Sequence, residues 1–552
     1  MLEKIANLLS EATKEDEVKV FIPENPDFGH YSTNLAFEFA KMREISPDEA
    51  GKEIRNQLTH FAPKGFFSRV DIAGGFLNFT LSDKTLEDEI NLILRQKQNY
   101  GRTRKGYKKT IVVDYSAPNI AKPMNVGHLR STIIGQAIVN LLRFQGYRVI
   151  GDNHIGDWGT QFGGLLYAFK KWGDRSELKR NPIDYLVKLY VRFNKEAETN
   201  EELMDEARRE TAKLQKGDRE NRRLWKEFVR ASLKEFNKTY RRLGVKFSVV
   251  LGESFYKKSL QSVVKDALEK GVAKKDDGAI KIVLEDGKLP DIVIEKTDGS
   301  HLYSTTDLAA IVYRVRRWHP EKILYVVANE QALHFSQIFK AAEILKIAPE
   351  TELEHVKFGM LLGESGRKMS TRRGEFIKLE ELLDRAKEEA GKIDQESAEQ
   401  VGIGAVKYFD LSHDRRSDIV FDWDKVLNLK GNSAPYILYT YARLRSVFRK
   451  AGPKIKKRLD LSLLQTDAEK KVVRQLVYFP DIAAAAGESC MPNYLADYLY
   501  KLANDLNAFY ETSPVLSVEK NLAESRLALV ASGSVILKQG LKLLGIETLE
   551  QM

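Results

Sequence analysis

Apolar and polar residues alternate with two different periods along this chain, and the changes of period mark its elements. The clearest unit begins with Thr110-Ile111-Val112-Val113-Asp114, a short apolar, β-branched run that predicts a buried parallel strand. After a polar loop, Leu129, Ile133, Ile134, Ala137, Ile138, Leu141 and Phe144 recur at helical spacing, and Gly146 predicts the stop. Arg148-Val149-Ile150 then predicts the next strand. Strand, loop, helix and strand in that order predict a right-handed crossover into a parallel sheet. Residues 323–328 predict another buried strand, and the alternating runs 280–284 and 292–296 predict two more, with a hairpin turn at Asp298-Gly299 consistent with them.

The flanks follow other patterns. Residues 36–40 predict a helix after a turn at Gly29, and residues 70–81 alternate like a strand with a bulge at Gly74 and Gly75. Residues 1–100 therefore predict an N-terminal α+β module, joined through the basic linker 96–109 to a catalytic domain over 101–430. Within that domain, residues 165–245 turn helical and heavily charged, as surface helices inserted between two halves of a nucleotide fold would. From 431 to 552 the pattern is helical over 476–487, 494–510 and 527–544, with Pro480, Pro492 and Pro514 in the expected gaps. An α-helical bundle is predicted there.

Composition narrows the classes. With 552 residues, 43% hydrophobic and 30% charged, the chain exceeds one core and reads as an ordinary globular protein of about three domains. Lys and Arg number 88 against 78 acids, and the net charge of +10 suggests a polyanionic partner. A single cysteine, Cys490, excludes an intrachain disulfide and a multi-cysteine zinc site, and no metal site is expected. The opening residues lack a secretory apolar core and no run reaches membrane-spanning length, so a cytoplasmic protein is expected.

Candidate chemistry sits at two loops. Asn125-Val126-Gly127-His128 lies where the first loop enters its helix, where Gly127 admits a ligand to the backbone and a helix N-terminus favours phosphate. Far downstream, an apolar run enters a glycine-flanked loop carrying four basic residues in the seven positions from Arg367 to Arg373. A cationic loop of this kind suits a triphosphate, whose charge moves onto pyrophosphate during transfer. A third stretch places Tyr303 and Asp307 four residues apart on one side of a predicted helix capped by Ser304 or Thr305. A carboxylate there can take a guanidinium bidentately while the ring packs on its flat face.

Together the two loops resemble the His-x-Gly-His and Lys-Met-Ser-Lys-Ser signatures of class I aminoacyl-tRNA synthetases. The wider text, SAPNIAKPMNVGHLRSTIIG over 116–135, HIGDWGTQFG over 154–163 and KMSTR over 368–372, resembles the arginyl-tRNA synthetases, and the resemblance spans nearly the whole chain. It implies a multidomain α/β protein: a Rossmann-type catalytic domain with a parallel sheet, an N-terminal α+β domain that holds the tRNA D-loop, and an all-α anticodon-binding domain. Two positions depart from the pattern. Asn125 stands where the first signature histidine is usual, and Thr371 where the second signature lysine is usual.

The resemblance also implies site roles. Residues matching Glu253, Tyr303 and Asp307 hold the arginine side chain, and those matching Asn119 and Gln331 hold its α-amino group. ATP is expected against Asn125, Gly127, His128, Lys368, Met369 and Ser370, with Mg2+ carried by its phosphates. His128, Lys368 and Arg372 are the expected catalytic groups, and Lys122 is the candidate replacement for the cation missing at Thr371. In the N-terminal module Phe76 would stack on an unpaired D-loop base and Asn78 read its edge. In the bundle Tyr441 and Arg445, with the chain end at Met552, would meet the anticodon loop.

The expected reaction is arginine activation to an adenylate with loss of pyrophosphate, then transfer to the 3′-terminal ribose of tRNA-Arg by a monomeric enzyme. A small-molecule nucleotidyltransferase would leave both flanking modules without purpose. A catalytically impaired RNA-binding relative is the alternative that Asn125 and Thr371 raise.

Overall fold

The computed structural model describes residues 1–159, 161–284, 287, 289–363, 366, 377–452 and 459–552. Its centre is a five-stranded, wholly parallel sheet in the order Glu352–His355, Lys322–Tyr325, Thr110–Asp114, Arg148–Asn153, Val249–Val250. The strand Thr110–Asp114 lies near the middle, and every residue in it is buried. Ile111 and Val113 pack into one hydrophobic core and Val112 into a second, because successive side chains of a strand point to opposite faces. The helix Val126–Phe144 covers one face and the helices Tyr303–Trp318 and Ala332–Ile344 cover the other. The strand after the first crossover runs from Arg148 to Asn153, longer than the three residues expected.

Five helices fill the insertion: Gln161–Trp172, Arg175–Arg180, Pro182–Ala197, Glu202–Lys216 and Arg219–Leu243. The last matters for the site. Its buried face carries Ser232 and Tyr240 against the loop that leaves the central strand, so the insertion braces the catalytic edge.

The N-terminal region holds a four-stranded antiparallel sheet. Here the structure corrects the expected bulged strand. Phe67–Ala73 and Phe76–Leu81 are two strands, paired from Phe67↔Leu81 to Ala73↔Phe76. Gly74 and Gly75 both take positive φ, 55° and 81°, and make the two-residue hairpin turn that such conformations favour. The sheet docks on the C-terminal helices: the Tyr31 hydroxyl donates to Asp481 at 2.9 Å, and the Tyr478 hydroxyl donates to the His30 carbonyl at 3.1 Å.

The C-terminal region is a bundle of Ala434–Ala451, Asp467–Glu488, Pro492–Thr512 and Lys520–Leu543. Pro480 does not mark a gap; it lies inside Asp467–Glu488. Val477, Tyr478, Phe479 and Asp481 are all buried around it, and that packing offsets the roughly 3 kcal/mol a mid-helix proline costs. Two further expectations change. The Asp298-Gly299 turn does not connect Ala279–Ile282 to Ile292–Glu295; it folds Glu295 back onto His301. The helix bearing Asp307 begins at Tyr303 with no side-chain cap, since Ser304 and Thr305 donate instead to the carbonyls of Val293 and Ile294. Among the described residues no helix is long and apolar enough to cross a membrane.

Candidate active site

The loops at the carboxyl ends of the parallel strands form one edge, where ligands bind in sheets of this kind. The loop following Asp114 is strained, with Ser116, Ala117 and Ala121 at φ of 77°, 47° and 62°. Surrounding groups hold it. The Ser116 N–H donates to Ser131 Oγ at 2.8 Å, the Ala117 N–H to Asn153 Oδ1 at 3.1 Å and the Ala121 N–H to Ser232 Oγ at 3.0 Å. Asn119 forms a parallel bridge with Gly156, where a Cβ would stand only 2.1 Å from Asn119 Oδ1. Only glycine admits that approach.

The loop ends at the helix N-terminus. Asn125 Oδ1 accepts the Gly127 N–H at 3.0 Å, and the Asn125 N–H donates to His128 Nδ1 at 3.1 Å. This reciprocal cap explains how Asn125 serves the fold without being a histidine. Burial lowers the His128 pKa, so the ring is neutral at physiological pH. With Nδ1 accepting, Nε2 carries the proton and is a donor. A cavity of about 170 Å³ opens here, lined by Asn125, Gly127, Arg130, Glu330, Phe358 and Met360 among others.

Arg130, which sequence reasoning did not single out, is fully buried below this cavity. Its Nε lies 3.0 Å from Asp410 and its Nη1 donates to the carbonyls of Gly359 and Ser417. It ties the signature helix to the strand pair Leu361–Leu362 and Ile419–Val420, which leads into the second signature loop. The far side of that loop is tied as well: the Leu379 N–H donates to the Met124 carbonyl and the Val126 N–H to the Ile377 carbonyl. Lys368, Met369, Ser370, Thr371 and Arg372 lie outside the described residues. Lys122 is exposed and makes no ion pair among the described residues.

A second group faces this one from the neighbouring strands. Glu253 opens the short helix Glu253–Tyr256, which Asp157 anchors by accepting the Ser254 N–H at 2.8 Å and hydroxyl at 2.6 Å. Burial, reinforced by the carboxylates of Asp157 and Asp307 and opposed by His154, raises the Glu253 pKa to about 7. Asp307 Oδ2 lies 2.6 Å from His334 Nε2, and the rings of Tyr303 and His334 are 4.9 Å apart. Tyr303 is 62% exposed. Gln331 is also exposed, at the end of the turn Asn329–Gln331 beyond its strand. Beneath them the buried Arg314 guanidinium contacts Asp114 at 2.6 Å and Asp152 at 2.8 Å, fixing the helix of Asp307 to two central strands.

The structure thus brings Glu253 within electrostatic reach of Asp307, and Asp307 and Tyr303 both against His334, with Gln331 in the turn that enters the His334 helix. Asn119 approaches from the far side through Gly156, the residue before Asp157. His334 and Arg314 were not legible as site residues: a lone histidine and an arginine inside amphipathic helices carry no spacing signal. Among the described residues no group of three or more His, Cys, Asp and Glu side chains is placed to hold a metal ion.

The RNA-facing candidates divide. Phe76 is 39% exposed and meets Phe21 and Phe37 edge-on at 6.3 and 5.3 Å, an aromatic surface on the N-terminal sheet. Asn78 shares its strand face but is covered, with Oδ1 accepting the Ser32 hydroxyl at 2.8 Å. Tyr441 is not a stacking platform, because it is 1% exposed. Its hydroxyl donates to Glu550 Oε1 at 2.9 Å and Arg445 pairs with Glu550 Oε2 at 2.6 Å, so both fasten the tail that ends at Met552. The exposed aromatic on that helix is Tyr439, with the Arg443 guanidinium 4.9 Å from its ring.

Comparison with known proteins agrees with this arrangement. Residues 1–81 match the family described as arginyl tRNA synthetase N terminal domain, 89–423 the class I (R) tRNA synthetase catalytic domain, and 437–552 the DALR anticodon binding domain. The chain is 40% identical to an arginine–tRNA ligase of Fusobacterium nucleatum, over 97% of this chain and 95% of the relative. It is 39% identical to that of Clostridioides difficile, over 100% and 98%. The crystal structure of arginyl-tRNA synthetase from Plasmodium falciparum superimposes with a TM-score of 0.81 at 28% identity, covering 100% of this chain and 99% of that one. Fold, catalytic edge and flanking modules converge: the chain belongs to the class I arginyl-tRNA synthetases.

Proposed function

We propose that this edge is where L-arginine and ATP meet: the α-carboxylate of arginine attacks the α-phosphorus, the bond to the bridging oxygen breaks, and pyrophosphate leaves. The terminal ribose hydroxyl of tRNA-Arg then attacks the arginyl carbonyl carbon, and AMP departs. The observation that carries this reading is the placement of a neutral, Nε2-protonated His128 at a helix N-terminus on the same sheet edge as the carboxylates of Glu253 and Asp307.

In this reading Glu253 and Asp307 neutralise the guanidinium, Tyr303 packs on it, and Asn119 and Gln331 receive the α-amino group. His128 and the Gly127 backbone hold the phosphates, and Lys122, Lys368 and Arg372 supply cations as charge builds on the leaving group. Magnesium enters with the nucleotide as part of the substrate, and its oxygen ligands are mainly phosphates. The Phe21–Phe37–Phe76 surface and the region around Tyr439 and Arg443 are the expected contacts for unpaired tRNA bases. Action as a cytoplasmic monomer belongs to the same reading, and sedimentation at working concentration tests the oligomeric part.

The test is exchange of labelled pyrophosphate into ATP with each of the twenty amino acids, with and without tRNA-Arg. Exchange with arginine alone among the amino acids is expected. Exchange with another amino acid, or none from folded protein, overturns the reading. Exchange that appears only after tRNA-Arg is added would couple the two steps.

A further inference from the structure

We propose that His334 is a positioning residue for the arginine pocket: through Nε2 it holds the Asp307 carboxylate in the orientation that receives the guanidinium. The inference rests on reading Asp307 as a guanidinium ligand.

Asp307 lies on the helix Tyr303–Trp318 and His334 on Ala332–Ile344, the two helices that cover one face of the central sheet. Nε2 and Oδ2 are 2.6 Å apart, a short charge-assisted contact. A carboxylate only accepts, so the imidazole donates there. Neither group is deeply buried, with side-chain exposures of 16% and 21%, so the contact is open to solvent and to a ligand rather than sealed in the core. The histidine ring has two aromatic neighbours, Tyr303 at 4.9 Å and Phe335 at 5.4 Å. Among the described residues Asp307 Oδ1 makes no hydrogen bond, leaving one carboxylate oxygen fixed and the other open.

That division suits a guanidinium. Glu253 and Asp307 are close enough for each charge to act on the other, so without a ligand they repel. The His334 N–H compensates Asp307 in that state and stops it rotating away from the place the substrate must occupy. Preorganisation of this kind acts on arginine affinity more than on the rate of phosphoryl transfer, because His334 does not line the cavity beside Asn125 and Gly127. Gln331, three residues earlier, shares the same helix entry, so one segment would set both the carboxylate and the α-amino ligand.

Two variants separate positioning from simple packing. His334→Phe keeps an aromatic ring but has no donor, and His334→Gln keeps an N–H near the position of Nε2. In arginine-dependent pyrophosphate exchange, His334→Phe is expected to raise the arginine KM by roughly tenfold to a hundredfold, with kcat and the ATP KM within about twofold. His334→Gln is expected to recover most of the loss. An unchanged arginine KM in His334→Phe overturns the proposal. So does an equal loss in both variants, or a fall in kcat and melting temperature without a selective rise in arginine KM. Asp307→Asn run in parallel isolates the premise. If it leaves arginine KM unchanged, the pocket reading itself fails; if it abolishes arginine use while His334→Phe is normal, only this inference fails.

Discussion

The backbone N–H of Asn125 donates to Nδ1 of His128 across 3.1 Å, so the first signature loop sets the tautomer of its own histidine. The free donor is Nε2. Glutamine can place its amide N–H near that atom and asparagine cannot reach it. His128→Asn is expected to lower kcat for pyrophosphate exchange by about 100- to 1,000-fold with little change in arginine KM. His128→Gln should retain more activity than His128→Asn. Steady-state kinetics of the two variants check the ordering.

Arginine binding should depend on pH through Glu253. Its pKa is held near 7 by burial first, with Asp157 and Asp307 adding to the effect. The carboxylate that pairs with a cation is the deprotonated form, so arginine must displace a proton below that pH. The arginine KM is expected to rise roughly tenfold between pH 8 and pH 6 in the native enzyme. Glu253→Gln should raise KM throughout and flatten this dependence. A KM profile in pyrophosphate exchange, read against kcat at each pH, makes the comparison.

Lys122 stands exposed between the strained loop and the helix cap, with no ion-pair partner among the described residues. If it supplies the cation absent at Thr371, Lys122→Ala lowers the single-turnover rate of adenylate formation by about 10- to 1,000-fold. Arginine KM should stay unchanged. A loss of less than threefold would assign the charge to Lys368 or Arg372 instead.

Acid should destabilise the N-terminal sheet beside its contact with the bundle. His30 Nδ1 accepts the Leu81 N–H at 3.1 Å, and burial, helped by Arg474, lowers its pKa from 6.5 to about 4. The folded state therefore binds this proton less readily than the unfolded chain. The associated stability is complete above pH 6.5 and is lost as pH falls towards 4, by about 3 kcal/mol in the limit. His30→Asn, whose Oδ1 can accept near the position of Nδ1 without titrating, should flatten melting temperature across that window.

The chain made some of this legible and hid the rest for physical reasons. Ile111, Val112 and Val113 announce a strand buried on both faces, since no half-exposed strand tolerates such a run. Gly74 and Gly75 were ambiguous because two positive-φ residues fit a bulge or a turn, and only pairing of Ala73 with Phe76 decides. Tyr303 and Asp307 were found because helical spacing puts them on one side. His334 is 27 residues beyond Asp307 and meets it only because two helices pack side by side on one face of the sheet. Tyr441 misled because an aromatic among arginines looks the same whether it waits for a base or, as here, fastens Glu550.

The docking of the N-terminal sheet onto the helix Asp467–Glu488, through Tyr31 with Asp481 and Tyr478 with His30, has a geometric consequence. Two surfaces at opposite ends of the sequence become points on one hydrogen-bonded frame, like the jaws of a set gauge. A partner touching both must bring matching contact points already at that spacing, and no domain has to be immobilised when it does. Selection by size and shape can then precede any reading of individual bases.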